Sequence, residues 1–133
     1  MATDKVRVKV LRASDGPSVK EGDRLYVNYQ GFLSEDGTEF DGNFDFDDFT
    51  SVPLRELFSF VIGAGQVIDG WDEALAGRNV GDVLLLKIPA AKAYGAAGKL
   101  PKIPPNADLT FKVELKAFDP AGPQGRTEAT AED

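Results

Sequence analysis

The chain has 133 residues, 42% of them hydrophobic, which suits a single globular domain built around one core. It carries 22 acidic and 15 basic side chains, a formal net charge of -7, so we expect it to repel nucleic acid and anionic membrane surfaces. It contains neither cysteine nor histidine, which excludes disulfides, thiol nucleophiles, Ser-His-Asp catalysis and nearly every structural zinc site.

Alternating patterns predict strands and a hairpin in the amino-terminal part of the chain. Residues 6–10 alternate valine with a basic side chain, and residues 25–30 place Leu25, Val27 and Tyr29 two apart. The sequence SEDG at 34–37 is typical of a hairpin turn, and it leads into a short extended segment that contains Phe40 and Asp41.

A strongly acidic segment follows this hairpin. Asp41, Asn43, Asp45 and Asp47 recur at every second position, which faintly resembles the oxygen-rich start of a calcium loop. The bidentate glutamate and the central glycine of such a loop are missing at the expected spacing. The pattern favours a solvated acidic loop, with calcium binding as the alternative.

The segment 58–71 runs from a strand into a helix and contains the single tryptophan of the chain. Phe58, Phe60 and Ile62 lie two apart, so an extended backbone points them to one face. Glycines at 63 and 65 permit a tight turn, and a short helix begins at Asp69 with Trp71 in its first turn. The first turn of a helix leaves its amide groups without internal partners. An apolar bowl with free amides at its rim is the outline of a binding site, although Trp71 also fits a plain core position.

Two more strands are predicted in the carboxy-terminal half. Gly77 is well placed to cap the helix, and the continuous apolar run at 83–88 predicts a central, covered strand that Pro89 closes. Residues 95–106 are too rich in glycine and proline to be regular. Residues 109–116 alternate apolar and polar side chains, which predicts a strand with one packed and one wet face.

These elements indicate an α+β fold. About five strands form an antiparallel sheet that packs against one short helix. We assign residues 1–118 to the domain and predict that residues 119–133, with almost no large apolar side chain, form a disordered acidic tail.

Six short motifs stand in the order and at the spacing found in one known family. They are VNYQG at 27–31, DGTEFD at 36–41, FSF at 58–60, GQVIDGW at 65–71, AYG at 93–95 and IPPNA at 103–107. Over roughly residues 5–118 the chain resembles the FKBP-type peptidyl-prolyl cis/trans isomerases, whose members also bind tacrolimus and rapamycin. The resemblance implies a half-wrapped antiparallel sheet around one helix, with a pocket between them.

The resemblance also implies a role for individual residues. It places Trp71 at the pocket floor, with the backbone N–H of Ile68 and the hydroxyl of Tyr94 as donors to substrate carbonyls, and Asp41 as the carboxylate that faces the pocket. It assigns the remaining positions to the walls (Tyr29, Phe40, Phe60 and Phe111) and to the substrate-binding rim (Phe58, Val67 and Ile103).

Each aromatic position also allows a core role. Phe111 alternates with polar neighbours as any half-buried strand residue does, and Tyr29 and Phe40 fit either interpretation. Tyr94 distinguishes better between a core role and a site role, because packing gives little reason for a tyrosine between alanine and glycine at the start of an irregular loop. The chain departs from the smaller family members in its acidic loop after Asp41 and in Lys102, which stands where an apolar residue is more usual.

The leading functional hypothesis is a prolyl isomerase acting on proline-containing peptides or unfolded protein segments, with rapamycin or tacrolimus as further ligands. Rotation about an Xaa-Pro bond breaks no covalent bond, so the reaction needs no cofactor, metal, imidazole or thiol. The alternatives are a binding module or chaperone with little turnover, and a structural domain whose acidic loop binds calcium. We expect a cytoplasmic protein, because no apolar run approaches the ~20 residues of a membrane span and the amino terminus lacks the apolar core of a signal peptide. We also expect a monomer.

Overall fold

The computed structural model describes residues 5–43 and 57–120. In these ranges the chain forms six strands, one α-helix and one short 3₁₀ helix. The strands are β1 (Arg7–Arg12), β2 (Arg24–Leu33), β3 (Glu39–Gly42), β4 (Phe58–Val61), β5 (Val83–Ile88) and β6 (Leu109–Asp119). The α-helix α1 spans Asp69–Leu75, and the 3₁₀ helix spans Ala90–Lys92.

All strand pairs are antiparallel, in the order β1-β5-β6-β2-β3, and β4 also pairs with β2. One edge of β2 is covered by β6 along its whole length, and the other edge is shared between β4 and β3. The α+β class and the antiparallel sheet around one short helix are therefore confirmed.

Asn43 fills the gap between β3 and β4 on the shared edge of β2. Its side-chain oxygen accepts the Tyr29 N–H at 2.7 Å and its side-chain nitrogen donates to the Val27 carbonyl at 3.1 Å. Asn43 is 3% exposed, so these bonds satisfy polar groups that would otherwise be buried without partners. This side chain continues the ladder of the sheet beside Tyr29.

The helix packs closely on one face of the sheet. A Cβ atom on Gly70 would lie 2.5 Å from a side-chain carbon of Ile88, so only glycine permits this distance between α1 and β5. The core between them contains buried side chains from α1, β5 and β6, namely Trp71, Ala74, Leu75, Leu84, Leu86, Ile88, Leu109, Phe111, Val113 and Leu115. Gly77, with a φ of 85°, follows the helix as the cap predicted from the sequence.

Two strands are less buried than their sequence pattern predicted. The prediction that β5 is covered is correct for only one face: Leu84, Leu86 and Ile88 are buried, whereas Lys87 is exposed. The reason is that the sheet carries its helix on one side only. In β1, which is an edge strand of the sheet, Val10 is 45% exposed and breaks the half-buried alternation.

The predicted acidic loop and tail fall largely outside the described residues, which exclude 44–56 and 121–133. Strand β6 ends at Asp119, whose carboxylate accepts a hydrogen bond from the Tyr26 hydroxyl at 2.6 Å. Across the two described ranges, neither helix has the length and apolar character that crossing a membrane requires.

Candidate active site

Trp71 lies at the centre of a cluster of aromatic rings contributed by four strands. Its ring centroid is 5.4 Å from that of Tyr29 on β2, 6.0 Å from Phe58 on β4 and 5.2 Å from Phe111 on β6, all edge-to-face. Trp71 is only 3% exposed, and its indole nitrogen has no hydrogen-bond partner in the described structure. The indole is thus both a core residue and, as shown below, the floor of a cavity.

Phe40 and Phe111 form one wall beside the indole. Their centroids are 5.6 Å apart in an edge-to-face arrangement that favours aromatic pairing. A Cβ atom on Gly31 would lie 2.7 Å from Phe111 Cε1 and 2.8 Å from Phe40 Cζ, so the absence of a side chain there admits both rings. Gly31 therefore sets the position of this wall.

A cavity of about 250 Å³ opens above the indole. Nine of the residues around it were predicted for the site, and two, Gln66 and Lys99, were not. The predicted residues are Tyr29, Phe40, Asp41, Phe58, Val67, Ile68, Trp71, Tyr94 and Phe111. Most of this lining is apolar or aromatic, as expected of a site that excludes water.

Two hydrogen-bond donors at the mouth of the cavity are unused by the described protein. The Ile68 N–H, immediately before α1, and the Tyr94 hydroxyl make no hydrogen bond within residues 5–43 and 57–120. Both residues line the cavity. They are available to a bound carbonyl oxygen.

Asp41, the carboxylate among the described residues that line the cavity, is held by two hydrogen bonds. Its Oδ2 accepts the Tyr29 hydroxyl at 2.8 Å, and its Oδ1 accepts the Gly42 N–H at 2.8 Å. Asp41 therefore fixes the Tyr29 ring at the wall.

The connection between β4 and α1 is tied down by side chains of its own. Asp72 accepts the Gly63 N–H at 2.8 Å and the Gly65 N–H at 3.3 Å. Gln66 accepts the Val61 N–H at 2.9 Å through its side-chain oxygen. These bonds hold the backbone immediately before Val67 and Ile68, and the sequence patterns gave no signal for them.

A second cavity of about 330 Å³ adjoins the first. Phe40, Asp41, Tyr94 and Lys99 line both, and the second continues along the segment 100–103. Ile103, predicted for the rim, lines this second cavity and is 3% exposed. The ammonium group of Lys99 lies 5.4 Å from the centroid of the Tyr94 ring, a cation–π distance.

Phe60 is the predicted site residue that the structure does not bring to either cavity. It is 1% exposed, and its ring lies behind the indole, with centroids 5.6 Å apart. Its neighbour two positions earlier, Phe58, is 37% exposed. The strand passes from the rim into the core between these two residues, so Phe60 supports Trp71 from behind.

Two of the four candidate residues of the calcium hypothesis, Asp45 and Asp47, lie outside the described ranges. Of its other two candidates, Asp41 and Asn43 use their side-chain oxygens to bond Tyr29 and the backbone. No group of three or more potential metal ligands occurs among residues 5–43 and 57–120.

Comparison with known proteins decides the family. The family described as FKBP-type peptidyl-prolyl cis-trans isomerase matches residues 16–116. The chain belongs to this family. The prediction made from the six motifs is confirmed, and the half-wrapped sheet with its apolar cavity is the fold expected of such an isomerase domain.

Several relatives share the domain and differ in total length. Peptidyl-prolyl cis-trans isomerase FKBP4 of Mus musculus is 48% identical over 97 residues, which is 73% of this chain and 19% of that protein. FKBP2 of Homo sapiens is 42% identical over 113 residues, 84% of this chain and 73% of the relative. FKBP15-2 of Arabidopsis thaliana is 45% identical over 104 residues, which is 77% of this chain and 58% of that protein. The chain thus spans about a fifth of the length of FKBP4 and nearly three quarters of FKBP2.

Proposed function

We propose that this domain accelerates the cis/trans exchange of Xaa-Pro bonds in peptides and unfolded protein segments. The observation that carries the proposal is the apolar cavity above Trp71, with the unused Ile68 N–H and Tyr94 hydroxyl at its mouth. Family membership supports the same activity.

The reaction is a rotation, and its barrier of about 18–20 kcal/mol comes from the resonance of the planar imide. In the twisted transition state the carbonyl loses its dipolar resonance form and the nitrogen loses conjugation. A cavity with aromatic walls, such as the one formed by Phe40, Phe111 and Trp71, solvates the less dipolar twisted form better than water does. This difference in solvation lowers the barrier.

The polar groups at the mouth contribute by holding the substrate. A carbonyl next to the proline accepts the Ile68 N–H or the Tyr94 hydroxyl, while the prolyl ring lies against the indole. Fixing the backbone on one side of the rotating bond removes unproductive orientations. Each 1.4 kcal/mol gained in the transition state gives about a tenfold rate increase, so a few such contacts suffice.

The activity is tested by NMR exchange measurements on a proline peptide with wild type, Phe111→Leu and Phe118→Leu. Both phenylalanines lie on β6, but only Phe111 lines the cavity. We expect Phe111→Leu to lower kcat/KM by about tenfold, about 1.4 kcal/mol, while Phe118→Leu retains the wild-type rate. Melting temperatures of both variants show how much each change affects folding.

An exchange rate equal to that without protein would refute the proposal. Peptide binding without acceleration would instead select the binding module or chaperone. Binding is followed by the fluorescence of Trp71, the only tryptophan of the chain.

Rapamycin or tacrolimus is proposed as a competitor for the same cavity. The support is the combination of an apolar cavity with two donors that no other described residue uses, which suits a ligand carrying carbonyl oxygens on an apolar frame. We expect rapamycin to change Trp71 fluorescence and to abolish isomerase activity in parallel. An unchanged exchange rate at saturating rapamycin would exclude it as a ligand of this cavity.

We also propose that the domain acts as a monomer, since residues of one chain line both cavities. Sedimentation equilibrium at assay concentrations tests this, and a dimer mass would contradict it.

A further inference from the structure

The segment from Lys99 to Ile103 forms a small hairpin beside the active site. The Lys99 N–H donates to the Ile103 carbonyl at 2.8 Å, and the Ile103 N–H donates back to the Lys99 carbonyl at 3.0 Å. Ile103 is buried in the core, whereas Leu100 at the tip is 70% exposed. The base of the hairpin is therefore fixed, and its tip projects into solvent next to the cavity.

The hairpin extends the substrate cavity and does not form a separate one. The cavity of about 330 Å³ beneath it shares Phe40, Asp41 and Tyr94 with the cavity above Trp71, and Lys99 lines both. A peptide whose proline lies over the indole thus continues into the space under the hairpin. At about 3.3 Å per residue of extended chain, residues within two positions of the proline reach it.

The described residues that line this extension include two lysines and one aspartate, whereas the chain as a whole has a net charge of -7. Lys99 and Lys102 both line the second cavity and are exposed, and neither forms an ion pair with a described carboxylate. Asp41 lines the same cavity, but both of its oxygens already accept hydrogen bonds from the protein. Among the described residues, two lysines without an ion pair thus line the same cavity as one carboxylate that already accepts two hydrogen bonds.

We propose that Lys99 and Lys102 select substrates with an aspartate or glutamate within two residues of the proline. The proposal rests on the proposed isomerase function and names the substrate class of the same site. The acidic side chain lies under the hairpin between the two ammonium groups, while the proline lies over Trp71. The exposed Leu100 and Pro101 supply apolar contact at the tip of the hairpin.

The test uses sets of three peptides that differ only in having glutamate, glutamine or lysine at one position. The varied position is in turn each of the two residues before the proline and each of the two residues after it. NMR exchange gives kcat/KM for each, and the readout is the ratio of the glutamate to the glutamine peptide. Each exposed ion pair contributes modestly to binding, so we expect the two lysines to give a glutamate-to-glutamine ratio of kcat/KM of about three to ten at the best position. The corresponding lysine-to-glutamine ratio should be less than one.

The matched variants are the double substitution Lys99→Gln with Lys102→Gln and the control Lys87→Gln. Lys87 is an exposed lysine on β5 that lines neither cavity at the active site. We expect the double variant to bring the ratio to about one, whatever happens to the individual rates, and Lys87→Gln to retain it. Raising the salt concentration from about 0.1 M to about 1 M shortens the Debye length from about 10 Å to about 3 Å and should also reduce the wild-type ratio.

A wild-type ratio of about one at every position, or a ratio that survives the double substitution, would overturn the proposal. If none of the peptides is accelerated, the isomerase function fails, and binding measured by Trp71 fluorescence decides the specificity separately. Tighter binding of the glutamate peptide that depends on both lysines supports the acidic subsite, and equal binding of the two peptides refutes it. If the double variant does not fold, the single substitutions are used, each of which should remove part of the preference.

Discussion

At the scale of single residues, Tyr94 and Tyr26 carry hydroxyl groups with opposite tasks. The Tyr94 hydroxyl has no partner among the described residues and lines both cavities, whereas the Tyr26 hydroxyl bonds Asp119 away from the site. We expect Tyr94→Phe to lower kcat/KM about twofold to tenfold, the value of one hydrogen bond, with an unchanged melting temperature. Tyr26→Phe should lower the melting temperature and leave kcat/KM unchanged. Equal activity of Tyr94→Phe and wild type would remove the hydroxyl from the mechanism.

Gly31 makes a second residue-scale prediction. In Gly31→Ala the new methyl group overlaps the rings of both Phe40 and Phe111, so both rings or the backbone of Gly31 must shift. We expect a loss of about 1–3 kcal/mol in the free energy of unfolding, typical of an overpacked core, together with reduced isomerase activity. Urea denaturation and exchange kinetics measure the two effects.

A double-mutant cycle shows whether the clash is the cause. Phe40→Leu removes one of the two ring carbons that approach Gly31, so the double variant should be more stable than the sum of the two single changes predicts. Additive changes in stability would mean that Gly31→Ala acts through another contact.

At the scale of elements, the connection from β4 to α1 depends on Asp72. Asp72→Ala removes the bonds to the Gly63 and Gly65 amides and loosens the backbone that presents Ile68. We expect a loss of about 1 kcal/mol in stability and a fall in kcat/KM. Glu73→Ala is the matched control, because its carboxylate pairs with Lys92 at the surface and touches neither amide. A fall in activity of the same size in Glu73→Ala would contradict this role for Asp72.

The strands and the helix were predictable from sequence because their periodicity is local. The alternation of residues 109–116 and the helix start at Asp69 both agree with β6 and α1. The position of the Phe60 ring behind the indole was not predictable from this local periodicity. A period of two assigns a side chain to a face of the sheet, but it does not say where along that face the cavity ends and the core begins. The aromatic set was therefore predictable, and its division into wall and support was not.

At the scale of the whole molecule, the sequence patterns did not predict the contacts between segments that are distant along the chain. Lys99 reaches the cavity because its hairpin bridges to Ile103 and lies against Tyr94, which a loop rich in glycine and proline does not reveal. Asn43 joins β2 because β3 and β4 leave a gap beside Tyr29. A family resemblance predicts such contacts only for residues that belong to the shared motifs. Lys99 and Lys102 lie outside the six matched motifs.

One contribution to the pH dependence of stability comes from the hydrogen bond between Tyr26 on β2 and Asp119 at the end of β6. The hydrogen bond to Asp119 is the main cause that raises the pKa of Tyr26 above 10.0, and desolvation adds to it. The folded state therefore retains this proton at a pH where the unfolded chain has lost it. The stability from this group is complete below pH 10 and is lost as the pH rises through the folded-state pKa.

We expect wild type to be more stable than Tyr26→Phe by a constant margin at neutral and mildly alkaline pH, and this margin to close above about pH 10. Urea denaturation of both proteins across this range measures the margin, and the comparison cancels the titration of all other groups. Asp119→Asn keeps an acceptor oxygen but removes the charge, so its margin over Tyr26→Phe should change less with pH. A margin that stays constant or widens above pH 10 would show that the Tyr26–Asp119 bond does not couple proton binding to folding.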